Sequence, residues 1–193
     1  THTQSSAASD VYKRQTYDVE GEIYAKYALS NVENPKIAIL FQNDDYGKDY
    51  RDGFLRGLGD KADDLVVKML PYEVTDPTVD AQVLELAASG ANVFFNITIP
   101  KFAAQAIKKS HEIGWKPLHL LNNVSSSVGA TLRPAGLEAS KGLITTQWMR
   151  DPTDPQWVET DGFKEWAAFM DANLPDGDKG DINYGYGLSL IHI

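Results

Sequence analysis

The order of elements along this chain predicts an α/β domain built on a doubly wound parallel sheet, in three α/β/α layers. Three observations carry that reading. Short apolar runs rich in β-branched and aromatic residues occur at residues 36–40, 65–70, 92–97, 117–121 and 142–149. Between them lie stretches whose apolar residues repeat at helical spacing. The connections are short, so each strand–helix–strand unit is a right-handed crossover that places a helix on one face of the sheet. The expected strand order is 2-1-3-4-5.

Each element has its own warrant. Residues 19–29 carry a stripe of Ile23, Tyr24, Tyr27 and Ala28, and Asn34-Pro35 ends that helix. The first strand, residues 36–40, runs into Phe41-Gln42-Asn43-Asp44-Asp45-Tyr46-Gly47, a polar turn. A helix follows over 46–58, with Tyr50, Phe54, Leu55 and Leu58 on one face and Gly57 and Gly59 marking its end. The second strand, 65–70, is expected to stop at Pro71. Asp76-Pro77 reads as N-cap and first helical position of a helix to Ala88, closed by Ser89-Gly90. Residues 92–97 form the third strand. Pro100 opens a helix that ends at Gly114. The fourth strand, 117–121, leads into Asn122-Asn123-Val124-Ser125-Ser126-Ser127. A short helical piece broken by Pro134 precedes the fifth strand, 142–149. Residues 151–155 form a turn before a last helix over 157–170. Trp148, Trp157, Trp166 and Phe169 are expected to serve core and helix packing.

Composition excludes several functions. The chain has 193 residues, a formal net charge of -9 and no cysteine. An acidic chain without clustered Lys and Arg does not suit nucleic acid. Thiol catalysis, disulfides and thiolate zinc sites are excluded. No apolar run of about twenty residues is present to span a bilayer. Residues 1–15 and 188–193 lack periodicity and are expected to be non-native read-through, leaving residues 16–187 as the folded unit.

In open α/β sheets ligands bind past the carboxyl ends of the strands. The residues falling there are 43–46, 72–75, 96–98, 122–126 and 147–150. They are mostly amides, hydroxyls and aromatics, which orient a small polar ligand rather than run covalent chemistry. Asn43, Tyr46, Asn96, Thr98, Asn123 and Gln147 are the candidate ligand contacts. The Asp44-Asp45 pair raises a receiver-like signalling domain, but such a domain needs a carboxylate after the third strand, where Asn96 stands. Phosphate-loop and dinucleotide glycine patterns are missing. His2, His111, His119 and His192 show no metal-ligand spacing. Ser125-Ser126-Ser127 lacks the context of an activated nucleophile. No catalytic residue, metal or cofactor is expected.

The stretch from Lys36 to Asp49 resembles the strand-turn-helix of branched-chain-amino-acid-type periplasmic binding proteins, the extracytoplasmic receptors of ABC importers. Asp151-Pro152-Thr153-Asp154-Pro155-Gln156-Trp157 and Tyr184-Gly185-Tyr186-Gly187 are also similar to that family. The resemblance covers residues 16–187. It implies a type I periplasmic-binding-protein lobe, mainly the second of two, with hinge crossings near its beginning and near Tyr184 and closure by hinge bending. It implies a periplasmic, non-enzymatic receptor for an amino acid, an aromatic or other carboxylic acid, or an amide. Its partners would be that ligand and the membrane permease subunits, with no nucleic acid, and the full-length protein would be a monomer. Tyr46 matches the family's cleft tyrosine and Thr98 the place of an aromatic. Asn123 falls where amino-acid binders carry an acid for the ammonium, which counts against an α-amino acid ligand. The other readings are a receiver-like domain and the effector-binding lobe of a transcription regulator.

Overall fold

The computed structural model describes residues 16–147, 149–182 and 184–185. Both expected read-through ends, His2, His192, Trp148 and Tyr186-Gly187 lie outside the described residues. The main elements are α1 (Tyr17–Asn31), β1 (Ile37–Gln42), α2 (Asp45–Leu58), β2 (Val66–Tyr72), α3 (Asp80–Ala88), β3 (Val93–Ile97), α4 (Pro100–Glu112), β4 (Leu118–Leu121), β5 (Ile144–Thr145) and α5 (Asp161–Asn173). Short turns of helix link some of them.

All strand pairs are parallel and the order is β2-β1-β3-β4-β5, as expected. Every residue of β1 and β3 is buried, the mark of central strands covered on both faces. On one face α1 and α2 pack over Ile37, Ile39, Phe95 and Ile97, with Tyr24 and Phe54 filling the layer. On the other, α3 and α4 cover Ala38, Leu40 and Phe94 with Val83, Leu86 and Phe102. Alternate residues of one strand therefore feed opposite cores.

Four boundaries differ from the sequence reading. Pro71 does not end β2; it pairs in register with Phe41, tolerated because β2 is an edge strand whose outer side needs no donor. Asp76 caps no helix. Its carboxylate accepts from the Glu73 backbone N–H at 2.9 Å, which makes a turn, and α3 starts only at Asp80. β5 shrinks to two residues, because side chains take over its hydrogen bonds. Thr146 N–H donates to the Tyr24 hydroxyl at 2.8 Å, and Asn123 Nδ2 donates to the Thr146 carbonyl at 2.8 Å. The final helix starts at Asp161, after a turn closed by the Asp154 carboxylate on Gln156 N–H. In that region Trp157 and Trp166 are half-buried, while Phe169 is on the surface rather than in a core.

Gly57 does not end α2. It lies within the helix, where an added Cβ would stand 2.7 Å from Ala25 Cβ and 2.9 Å from Glu22 Cα. Gly59, at φ +60°, is the true cap. Gly21 and Gly53 bring α1 and α2 together in the same way, so the two helices approach nearly backbone to backbone.

Candidate functional site

The carboxyl ends of the strands form one rim, and β1 supplies its first feature. Asp44 follows the strand in extended conformation and caps α2, its carboxylate accepting from Gly47 N–H at 3.0 Å and from the Gln42 side chain. Asp44 is thus spent on the turn and helix start, while Asp45 is exposed at the first position of α2. Gly47 is required there, since a Cβ would lie 2.0 Å from the Gln42 carbonyl. Asn43 is exposed and its side-chain amide donates to Glu73 at 2.6 Å.

Tyr46 comes next, in the first turn of α2. Its ring meets Tyr17 edge-on at 5.0 Å and Tyr50 edge-on at 5.4 Å, while Tyr17 and Tyr50 stack at 4.9 Å. The Tyr46 hydroxyl is buried and has no hydrogen-bond partner among the described residues. Burial, then the neighbouring Tyr72, holds its phenol far above the ordinary range. The residue is half-buried as a whole but its polar atom is not solvated. An unpaired buried hydroxyl costs about 1–3 kcal/mol.

The opposite part of the rim is built from Asn123 and Gln147. Asn123 Nδ2 donates to Gln147 Oε1 at 3.3 Å as well as to the Thr146 carbonyl. Gln147 Oε1 also accepts from Met149 N–H, and its Nε2 donates to Ser126 Oγ at 3.2 Å. The two amides form one partly exposed patch.

Glu20 connects the two sides. Its carboxylate accepts from the Tyr50 hydroxyl at 2.6 Å, from Asn123 N–H at 2.8 Å and from the Thr146 hydroxyl at 2.8 Å. Three donors occupy three of the roughly four acceptor sites of this carboxylate, so its first role is to hold the two sides of the rim together. Burial and the Glu20 charge together push the Tyr50 phenol strongly up, keeping it a donor. Sequence reasoning missed Glu20. The available signal was an acid one helical turn before Tyr24, on the buried stripe of α1.

Asn96 and Thr98 lie beneath the rim with no exposed surface. Thr98 Oγ1 donates to Asn96 Oδ1 at 2.7 Å, and Asn122 Nδ2 donates to the carbonyls of Asn96 at 3.1 Å and Thr98 at 2.9 Å. Ser125 Oγ donates to the Thr98 carbonyl. These groups satisfy one another and hold the loop after β4 against the end of β3. Of the sequence-expected contacts, Asn43, Tyr46, Asn123 and Gln147 reach the rim surface, and Asn96 and Thr98 support it from below.

Asn96 Nδ2 faces His119 Nε2 at 3.2 Å. His119, buried in β4, has its pKa pushed down to about 3 by desolvation. The folded protein therefore binds fewer protons than the unfolded chain between pH 3 and the ordinary histidine value, and stability falls as pH drops through that window. Lowering pH from 7 to 5 should cost about 2 kcal/mol from this group. Urea unfolding of His119→Gln beside the parent measures it, and equal pH slopes in the two would exclude the effect.

A parallel α/β/α domain with a rim of amides and aromatics past its strand ends has the architecture in which ligands bind beyond the carboxyl ends of the strands. The model of the periplasmic binding protein family matches residues 11–186, and the chain belongs to that family. Solved structures similar in fold include a substrate-binding periplasmic protein from Ralstonia solanacearum, 24% identical with a TM-score of 0.69, over 81% of this chain and 42% of that one. A fatty acid ABC transporter substrate-binding protein from Thermomonospora curvata is 23% identical with a TM-score of 0.67, over 91% and 45%. A branched chain amino acid ABC transporter from Thermus thermophilus with bound valine is 15% identical with a TM-score of 0.75, over 90% and 44%. The chain thus spans less than half the length of each. A comparison with curated proteins gave no match. Among the described residues no helix is long and apolar enough to cross a membrane.

Proposed function

We propose that residues 16–187 form one ligand-binding lobe of an extracytoplasmic, non-enzymatic solute receptor of an ABC importer. The lobe contributes one wall of a cleft, and the solute passes from it to membrane permease subunits. The observation that supports this most is the Tyr46 hydroxyl, a buried rim donor with no partner among the described residues. A ligand acceptor reaching it would recover the hydrogen bond that folding leaves unmade.

Asn43, Tyr46, Asn123 and Gln147 are the contacts on this wall, positioned by Asn96 and Thr98. All four are uncharged, and the nearby acid, Glu20, is already engaged by three donors. The wall suits the polar or apolar body of an organic acid or amide better than the ammonium of an α-amino acid. Thermal-shift screening of the complete two-lobe receptor against amino acids, benzoates, short-chain acids and amides tests the reading. One class should stabilise it, and stabilisation by none would overturn the receptor assignment.

Tyr46→Phe separates binding from folding. The free protein should hold or gain up to about 1 kcal/mol, because an unpaired buried hydroxyl is removed. Affinity for the stabilising ligand should fall about fivefold. Unchanged affinity, measured by calorimetry, would remove the Tyr46 hydroxyl from the site.

A further inference from the structure

A pocket of about 580 Å³ opens at the other end of the sheet, away from the rim. Its walls are the end of α4, the turn into β4 and the loop before β5, with Ile107, Trp115 and Leu143 as apolar lining. Glycines shape two of those walls: Gly114 at φ +71° turns the chain out of α4, and Gly142 at φ +83° turns it into β5. The volume lies within the usual range for small-molecule sites.

The polar groups in this pocket are mostly donors. Ser110 is 4% exposed, and its hydroxyl has no hydrogen-bond partner among the described residues. His119 is 7% exposed; because Asn96 Oδ1 accepts from Thr98, Asn96 Nδ2 donates to His119 Nε2, and the ring proton sits on Nδ1. Lys116 pairs with no carboxylate among the described residues. The acid in the lining, Glu138, is neutralised by Lys141 at 2.8 Å. A buried unpaired hydroxyl, a ring N–H and an ammonium around an apolar floor favour an acceptor-rich ligand with a flat apolar body.

We propose that this pocket is a second small-molecule site, separate from the rim, that binds a small aromatic carboxylate. The ring lies against Trp115, Ile107 and Leu143, and the carboxylate takes the Ser110 hydroxyl and the Lys116 ammonium. The rim site and this one lie at opposite ends of β4, so occupancy of one does not block the other.

Benzoate is the probe, titrated into the full chain while NMR follows the Trp115 indole N–H and the His119 ring. Both sets of signals should move and saturate together. Benzamide, which lacks the charge, should bind about tenfold more weakly, and Lys116→Gln should weaken benzoate by a similar factor. Ser110→Ala should weaken it as well without perturbing the fold, and Leu143→Trp should fill the pocket and remove the shifts. Absence of saturable shifts at Trp115 and His119 would overturn the site. Equal affinity for benzoate and benzamide would overturn its assignment to an anion. Shifts that survive unchanged in both Ser110→Ala and Leu143→Trp would place the binding elsewhere.

Discussion

Phe95→Ala is expected to destabilise the protein by about 3–5 kcal/mol. Phe95 sits on β3 at the middle of the sheet with no exposed surface. Its ring stacks on Phe54 at 4.6 Å and meets Tyr24 at 5.2 Å and Tyr50 at 6.3 Å, so it ties both α1 and α2 to the strand. Truncation removes the burial of an aromatic ring and leaves a cavity that the two tyrosines cannot close, because both are held elsewhere. Tyr24 donates to the Leu121 carbonyl at 2.6 Å and Tyr50 to Glu20. Against a total stability of about 5–15 kcal/mol for a domain, that loss is large. Urea titration followed by circular dichroism reads it as a lower midpoint. A change below about 1 kcal/mol would mean that the aromatic layer repacks, contrary to the fixed partners described.

Gly53→Ala is the second. In an isolated helix alanine would gain about 1 kcal/mol over glycine. Here a Cβ on residue 53 would stand 2.0 Å from the Asp18 carbonyl oxygen and 2.4 Å from Asp18 Cα. Both obstacles are backbone, so α1 must move as a unit. Moving it breaks the Glu20 contacts to Tyr50, Asn123 and Thr146, and overpacking of this kind costs about 1–3 kcal/mol, occasionally more. The net expectation is a loss of about 2 kcal/mol or more, with the rim disturbed as well. Gly162→Ala in α5 is the control, since among the described residues nothing beyond its own turn of helix lies within 4 Å of an added Cβ. It should be neutral or slightly stabilising. If Gly53→Ala behaves like the control, α1 and α2 are not locked by their glycines.

The contrast between these glycines shows where sequence reading stops. Gly59 and Gly57 both look like helix-end signals, two residues apart. One is a cap with positive φ; the other touches a helix that ends more than twenty residues earlier in the chain. Local spacing cannot distinguish them, because the difference is made by α1. Glu20 is a similar case. Its bonds to Asn123 and Thr146 join residues 103 and 126 positions apart, so its place on the α1 stripe marks it as partly buried without naming these partners.

The candidate site was legible in part. The turn from β1 into α2 and the position of Tyr46 follow from a buried run meeting a polar turn and a helical stripe. Amides and hydroxyls at the other strand ends were also legible as a set. Which of them stay at the surface was not. Asn96 and Thr98 look as available as Asn123 and Gln147, yet the loop after β4 folds over the end of β3 and takes both into a hydrogen-bonded knot.

By itself, then, the sequence determined the parallel α/β class, the strand order, the place of the rim and the resemblance that the family match bears out, because these rest on periodicity and on contacts between neighbouring elements. Only the tertiary structure decided the close approach of α1 and α2, the shortness of β5, the three partners of Glu20 and the orphaned hydroxyl of Tyr46. Each depends on hydrogen bonds or van der Waals contact between segments distant in the chain, and packing fixes such contacts where local preference does not.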